Sequence, residues 1–153
     1  MIPALFLDRD GTINYDCPYC HNVKDLKLYK DIPEIVRSYN KKEYLVIVIS
    51  NQSGIDRGYF TDDECVAFNN EINKKLKEKG CWIDAFYYCP HRPDENCNCR
   101  KPKTGLVDRA VKEHGIDLKR SVFVGNDRER DGGLAKRLGI KFVFLSDERE
   151  IRQ

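Results

Sequence analysis

Short runs of consecutive apolar residues along this chain alternate with longer stretches in which apolar side chains return every three or four positions. The runs, at residues 2–7, 44–49, 85–88, 122–124 and 142–145, have strand length, and the stretches between them have the period of helices lying on a sheet. Residues 45–49 read Leu-Val-Ile-Val-Ile without a polar interruption, as expected of a strand covered on both faces, and are expected at the sheet's middle. A first helix is expected to begin near Asp31, with Pro33 in its first turn and Ile32, Ile35, Val36 and Tyr39 on one face. A second opens on the capping box Thr61-Asp62-Asp63-Glu64, presents Cys65, Phe68, Ile72 and Leu76 to the core, and stops at Gly80. The third is expected over 104–114 before Gly115, and the fourth over 131–138 before Gly139. Strands alternating with helices predict an α/β fold, a Rossmann-like parallel sheet with helices on both faces. No repeat, low-complexity tract or Pro/Gly/Ser-rich linker divides the chain, so residues 1–153 are expected to form one domain.

Charge narrows the partners. The 27 Lys plus Arg nearly balance 25 Asp plus Glu, and a net charge of +2 supplies no dedicated surface for nucleic acid or acidic lipid. No apolar run approaches the roughly 18 residues of a membrane span, and no basic stretch leads into an apolar one at the amino terminus, so a cytoplasmic protein is expected. Seven cysteines is an odd number, and three of them stand with His91 between positions 89 and 99, which fits metal ligation better than a disulfide framework.

Asp8-Arg9-Asp10-Gly11-Thr12 directly follows the first apolar run. Residues two apart in a strand point to one face, so Asp8 and Asp10 can serve one small volume at the strand's carboxyl end, where open parallel sheets bind ligands. Two carboxylates so close imply a divalent cation or a shared proton, and oxygen donors suit Mg²⁺. Taken alone, the same five residues also fit a turn with a solvated acidic tip. Three further loops decide between these readings. Ser50-Asn51-Gln52-Ser53-Gly54 follows the second run and offers a hydroxyl and backbone N–H groups to phosphate oxygens. Arg100-Lys101-Pro102-Lys103 offers cations, and Gly125-Asn126-Asp127 with Asp131 follows the fourth run and offers more carboxylates. Four loops at one sheet edge make one site for chemistry on a phosphate.

In this order the pieces resemble the phosphatases of the haloacid dehalogenase superfamily over nearly the whole chain, and most closely the histidinol-phosphate phosphatase and D,D-heptose 1,7-bisphosphate phosphatase branch. The resemblance is carried by Leu-Asp-Arg-Asp-Gly-Thr-Ile-Asn at 7–14, Asn-Gln-Ser-Gly-Ile at 51–55 with Arg57-Gly58, and Tyr-Tyr-Cys-Pro-His at 87–91 followed by Cys-Asn-Cys-Arg-Lys-Pro at 97–102. It implies that Asp8 is the nucleophile that forms an aspartyl-phosphate, and that Asp10 protonates the leaving oxygen and then takes a proton from water. It implies Mg²⁺ held by Asp8, the Asp10 backbone carbonyl and Asp127, with Ser50 and Lys101 stabilising the equatorial phosphate oxygens. It gives Asp16, Tyr19, Asn51, Gln52, Ser53, Arg100 and Arg128 substrate contacts. Two departures stand out: Ser50 replaces the family's usual Thr, and Asn126 precedes Asp127 where Gly-Asp is usual. Asp127 is aligned because it keeps an Asp-x-x-x-Asp spacing to Asp131; in the other register Asn126 is the ligand. Asp131 is expected to orient the metal shell or cap the following helix.

Cys89, His91, Cys97 and Cys99 have the ligand count of a closed tetrahedral zinc site, although their spacing is tighter than common finger patterns and also fits ordinary cysteines. The resemblance implies structural zinc, which would aim Arg100 and Lys101. Cys17-Pro18-Tyr19-Cys20 is also the sequence of a glutaredoxin active site, yet no apolar helical face follows it, as helix-activated thiols require. The default is two ordinary loop cysteines, with a substrate-gating disulfide as the alternative. Cys65, Cys81 and His114 receive no role.

Residues 13–43 and 59–84 leave room for one helix each and no cap domain. The site is therefore expected to be open, with the loop at 15–29 and the Cys/His loop selecting a small phosphorylated sugar or amino alcohol. A heptose bisphosphate ranks first and histidinol phosphate second. A 3′-phosphorylated DNA end is more distant, because no aromatic residues interleave a basic stripe. A monomer without nucleic-acid or membrane partners is expected. The contrasting classes, a thiol-redox protein and a non-enzymatic zinc-binding module, need no Asp8–Asp10 pair.

Overall fold

The computed structural model, which describes residues 1–150, joins β1 (Ala4–Leu7), β2 (Leu45–Asn51), β3 (Ala85–Cys89), β4 (Val122–Gly125) and β5 (Lys141–Phe144) in one parallel sheet ordered β3-β2-β1-β4-β5. The middle strand is β1, and the expectation that 45–49 would take that place is corrected. An unbroken apolar run reports cover on both faces, which β2 shares with β1, and says nothing of rank in the sheet. β2 also runs further than its apolar pattern, with Ser50 and Asn51 paired to Tyr88 and Cys89.

Side-chain parity sorts the core into two layers. Leu5, Leu7, Val46, Val48, Val122 and Val124 meet Ile32 and Val36 of α1 (Ile32–Lys41) and Phe68, Ile72 and Leu76 of α2 (Asp62–Lys77). Ala4, Phe6, Ile47, Ile49 and Phe123 face Leu106, Val107 and Ala110 of α3 (Gly105–His114) and Leu134 and Ala135 of α4 (Arg130–Leu138). Successive strand residues point to opposite faces, so each strand serves both layers, and each large buried apolar side chain stabilises by about 1.5–3 kcal/mol.

The helix boundaries follow the expected caps. Thr61 Oγ1 accepts from the Glu64 N–H at 3.1 Å while Glu64 Oε1 accepts from the Thr61 N–H at 3.0 Å. α1 carries Pro33 in its first turn, and Gly115 and Gly139 end α3 and α4 in the left-handed region. Because all strands run the same way, the segments leaving β1, β2 and β4 emerge at one edge and, with residues 100–101, surround a pocket of about 590 Å³. Between β1 and α1 there is only the 3-10 turn Val23–Asp25, and between β2 and α2 no element at all, so no cap domain covers the pocket among the described residues. No described helix is long and apolar enough to cross a membrane. The end of the expected domain, 151–153, lies outside the described residues.

Candidate active site

The pocket floor is a buried charge cluster. Lys101, 3% exposed, donates through Nζ to Asp8 Oδ1 and to Asp131 Oδ1, both at 2.7 Å. β1 ends just before Asp8, and Asp131 lies in the first turn of α4, where its Oδ2 accepts from the Asp127 N–H at 3.2 Å. Only glycine fits at 125, since a Cβ there would come within 2.2 Å of Asp131 Oδ2. Gly11, with φ +84°, likewise leaves room for the Asn126 amide. Thr12 Oγ1 donates to Asp8 Oδ2 and Asn126 Oδ1, each at 3.3 Å. The Lys101 backbone is fixed by Asn51, whose Oδ1 accepts from the Lys101 N–H at 2.9 Å and whose Nδ2 donates to the Lys101 carbonyl at 3.3 Å.

One ammonium shared between two buried carboxylates leaves a negative charge uncompensated. Burial pushes the Asp8 carboxyl up to about 7, against the pull of Lys101 and with Asp131 adding to the rise. At Lys101 burial works in the other direction, but Asp131 and Asp8 outweigh it and keep the ammonium charged beyond the usual lysine range.

Asp10 sits inside a ring of donors. Its Oδ1 accepts from Arg9 Nε at 3.1 Å and Asn14 Nδ2 at 3.0 Å, and its Oδ2 from Arg9 Nη2 at 3.1 Å and Gln52 Nε2 at 3.0 Å. Arg9 is the hub of this ring and is fully buried. It also donates to Asn69 Oδ1 (3.1 Å), Gln52 Oε1 (3.2 Å) and the Cys20 carbonyl (2.8 Å), and its guanidinium lies 4.5 Å from the Phe68 ring centroid. A buried guanidinium is tolerated only when its N–H groups are matched in this way. Nothing in the charge pattern marks Arg9 out, since it sits between two aspartates like any solvated arginine. Parity is the signal that finds it: Arg9 continues Leu5 and Leu7 toward the α1–α2 layer, whereas Asp8 and Asp10 continue Ala4 and Phe6.

Of the expected substrate contacts, Asp16, Tyr19, Asn51, Gln52, Ser53 and Arg100 line the pocket together with Asp8, Asp10 and Lys101. Burial and the neighbouring Asp10 raise the Asp16 carboxyl above its ordinary value. Asn51 and Gln52 commit their amides to Lys101, Asp10 and Ser50, so they position catalytic groups instead of reaching for substrate. Ser50 lies beneath the wall, 3% exposed, with its Oγ accepting from Gln52 Nε2 at 3.2 Å. Arg128 does not line the pocket; its guanidinium stacks on Phe144 at 3.9 Å, and Arg130 takes the place expected for it. Among the described residues, Arg100 Nη1 is buried and has no hydrogen-bond partner, a donor that an anion could take.

Asp127 turns its carboxylate toward the start of α4. Its Oδ1 accepts from the N–H groups of Glu129 (3.0 Å) and Arg130 (2.9 Å), and its Oδ2 from Arg130 Nη1 (3.0 Å). Burial raises its carboxyl, but the bonds from Arg130 and Glu129 outweigh this and hold it below the ordinary range. Asp127 thus satisfies the start of α4, the capping role expected for Asp131, and Asn126 is the residue joined to Asp8 through Thr12. The Asp-x-x-x-Asp spacing holds, but Asp127 turns to the start of α4 whereas Asp131 turns to Lys101.

Cys89 at the end of β3, His91, Cys97 and Cys99 bring one ligand atom each to within 4.8 Å of one another, a set able to hold a metal ion. His91 Nδ1 lies 3.2 Å from Cys99 Sγ and 3.4 Å from Cys89 Sγ. Cys17 and Cys20 form a disulfide, with Cα atoms 5.3 Å apart across a turn in which Tyr19 has φ 51°. The default of two ordinary loop thiols is corrected accordingly, and the segment that follows is a 3-10 turn and no α-helix, as the missing apolar face predicts. Cys65 and Cys81 are buried, and His114 ends α3 with Nε2 3.0 Å from the Tyr87 hydroxyl.

Residues 6–147 match the family model described as "Polynucleotide kinase 3 phosphatase". The chain is 48% identical over 142 residues, 93% of its length and 97% of the relative's, to a Thermoplasma volcanium protein named "Probable D-glycero-D-manno-heptose-1,7-bisphosphate 7-phosphatase". It is 44% identical over 129 residues, 84% of its length and 74% of the relative's, to the D-glycero-beta-D-manno-heptose-1,7-bisphosphate 7-phosphatase of Helicobacter pylori. The solved D,D-heptose 1,7-bisphosphate phosphatase from B. bronchiseptica, complexed with magnesium and phosphate, is similar with a TM-score of 0.86 at 27% identity, covering 94% of this chain and 80% of that one. A haloacid dehalogenase-like phosphatase structure from Mesorhizobium loti gives 0.86 at 35% identity, covering 91% and 69%. The matched residues 6–147 include Asp8, Lys101 and Asp131, and the chain belongs to the haloacid dehalogenase superfamily, as a phosphatase of the branch that contains the D,D-heptose 1,7-bisphosphate phosphatases.

Proposed function

We propose that this phosphatase is Mg²⁺-dependent and removes the 7-phosphate of D-glycero-D-manno-heptose 1,7-bisphosphate through an aspartyl-phosphate on Asp8. The observation that carries the chemistry is the position of Asp8, on the floor of an open polar pocket and 2.7 Å from a buried lysine. The relatives named for the heptose bisphosphate support the choice of sugar.

An Asp8 oxygen attacks phosphorus, the bond between phosphorus and the sugar oxygen breaks, and Asp10 delivers the proton that the leaving oxygen takes up. Asp10 then accepts a proton from the water that attacks the aspartyl-phosphate, which releases inorganic phosphate and restores Asp8. Lys101 places a fixed charge beside Asp8 that needs no reorganisation during reaction, the Arg100 Nη1 is available to substrate oxygens, and Ser50 acts through Gln52, whose Nε2 donates to both Ser50 Oγ and Asp10 Oδ2. Asp16, Tyr19 and Ser53 form the walls against which the sugar rests.

Asp8, the Asp10 carbonyl and Asn126 Oδ1 are an all-oxygen donor set with a surplus negative charge, which fits Mg²⁺. When bound, Mg²⁺ supplies the neutralising charge that lets an anionic carboxylate approach an anionic phosphate. In this reading Asn126, and not Asp127, is the ligand from the β4 loop. The three thiols and one imidazole of Cys89, Cys97, Cys99 and His91 fill a tetrahedral zinc shell, leaving it a structural role beside Arg100 and Lys101. Residues 1–153 act as one domain in a cytoplasmic monomer.

A second reading, a phosphatase for 3′-phosphorylated DNA ends, is favoured by the description of the matching family model. Phosphate release from the heptose bisphosphate, histidinol phosphate and a 3′-phosphorylated oligonucleotide, with and without Mg²⁺, separates them. The highest kcat/KM is expected on the heptose bisphosphate. A higher value on the oligonucleotide would replace the sugar reading, and turnover indifferent to Mg²⁺ would remove the metal from it.

A further inference from the structure

β5 is followed by a strap that turns back across the rear of the catalytic turn. Leu145 still pairs with the sheet, its N–H donating to the Gly125 carbonyl at 2.9 Å. Beyond it, the Tyr29 hydroxyl donates to the Asp147 carbonyl at 2.7 Å and the Lys30 N–H to the Glu150 carbonyl at 2.8 Å. Arg149 lies between these two anchors with a side chain only 14% exposed. Its Nε donates to Asp31 Oδ2 at 2.9 Å, its Nη1 to the Ser146 carbonyl at 2.6 Å, and its Nη2 to the carbonyl of Thr12; the guanidinium plane rests 4.1 Å from the Tyr29 ring centroid.

Thr12 is the residue whose hydroxyl binds the nucleophile. It is fully buried, and Oγ1 meets Asp8 Oδ2 while Lys101 holds Oδ1. The same hydroxyl meets Asn126 Oδ1. Arg149 therefore stands one residue away from Asp8, although 137 positions separate it from Thr12 in sequence. An exposed ion pair with Asp31 alone would add about 0–1 kcal/mol and would need neither burial nor stacking. A planar fork that engages Asp31, Ser146 and Thr12 together, stacked on an aromatic ring, is a task that only arginine performs.

We propose that Arg149 is a positioning residue for phosphoryl transfer: it clamps the turn from Asp8 to Thr12 through the Thr12 carbonyl and thereby fixes the orientation of the nucleophile. This rests on the reading of Asp8 as the nucleophile. Small displacements of reacting groups, caused far from the chemistry, can lower turnover by as much as a hundredfold.

The test uses the full chain with p-nitrophenyl phosphate and Mg²⁺, below the melting midpoint of every variant. Arg149→Ala should lower kcat by about 10- to 100-fold with KM changed by no more than about twofold, because substrate contacts are untouched. Added methylguanidinium should restore part of that loss, and Arg149→Lys, which keeps the charge without the fork, should stay closer to Ala than to the parent. Glu150→Gln removes the exposed Lys30–Glu150 pair of the same strap and should turn over like the parent. Amide exchange should quicken at Thr12 and Ile13, whose N–H groups bind the Arg9 carbonyl, and stay unchanged at the cysteine loop. A folded Arg149→Ala with parental kcat and unchanged exchange would overturn the clamp, as would equal losses in Arg149→Ala and Glu150→Gln that track melting temperature. If the parent itself showed no turnover, the phosphatase reading would fall while the exchange measurement still decided whether Arg149 holds Thr12.

Discussion

Two clusters of metal-seeking side chains flank Arg100 and Lys101, and they are built in opposite ways. The carboxylate cluster hangs on a strand end and a helix start whose backbones are paired whether or not an ion is present. The thiol cluster spans 89–99, where only Cys89 belongs to a strand and the rest is loop and a 3-10 turn. In the reading proposed above, removing its ion should leave the first in shape with surplus negative charge and should deprive the second of the bonds that tie its ends together. Oxygen donors on a rigid frame make a centre for chemistry, and sulfur donors on a loop make a centre for folding. Lys101 belongs to both, since it follows Cys99 by two positions and ends between Asp8 and Asp131.

The largest expected effect breaks the first cluster and spares the second. Asp8→Asn keeps shape and volume but removes the nucleophile, and turnover should fall by on the order of 10⁴-fold or more. Zinc content and a cooperative unfolding transition should be retained, measured by metal analysis and thermal unfolding. Residual turnover near the parental rate would move the nucleophile elsewhere.

Next in size is the pH dependence that surplus charge imposes. In the metal-free protein Asp8 titrates near 7, raised by burial from an ordinary 3.8, so between those values the folded state holds a proton that the unfolded chain has released. The contribution of Asp8 to stability should therefore fall as pH rises from about 4 to about 7, by at most a few kcal/mol, and level off above. A cation bound to the ionised carboxylate opposes that loss, so the rise in melting temperature on adding Mg²⁺ should grow as pH climbs through about 7. Asp8→Asn should flatten both trends. An equal Mg²⁺ effect at about pH 5 and about pH 8 would place the ion away from Asp8.

The thiol cluster should respond differently. Cys99→Ser should weaken metal binding there by about 10- to 100-fold and lower kcat through misplaced Arg100 and Lys101, while the pH trend that Asp8 gives the parent persists. Limited proteolysis should reveal new cleavage confined to 89–103. Parental kcat with the loop cut open would show that the loop does not aim those cations.

These contrasts also mark what a sequence discloses. Strand and helix placement, the Thr61–Glu64 box and the four loops were legible because each depends on local period or local hydrogen bonding. Strand order was not, because β1 gains the central place through pairings with residues about forty and 117 positions away, and nothing in its own pattern differs from that of β2. Arg9 was not singled out because charge says nothing about parity, and Arg149 was invisible because its partner lies at the other end of the chain. The disulfide between Cys17 and Cys20 depends on the turn at Tyr19, a conformation that the residue types do not demand.

The smallest effects separate two adjacent residues that the sequence leaves interchangeable. Asn126→Ala removes one of the two acceptors, with Asp8 Oδ2, of the Thr12 hydroxyl, so the Mg²⁺ concentration for half-maximal turnover should rise by about 10-fold, with little change in melting temperature. Asp127→Ala removes three hydrogen bonds at the start of α4 and should cost about 1 kcal/mol of stability, as other lost helix caps do, with the Mg²⁺ requirement nearly unchanged. Metal titration of turnover and thermal unfolding on both variants read these apart. If the two responses were exchanged, Asp127 would have to leave the helix start to reach the metal, and the three bonds that hold it there would be a resting arrangement that catalysis undoes.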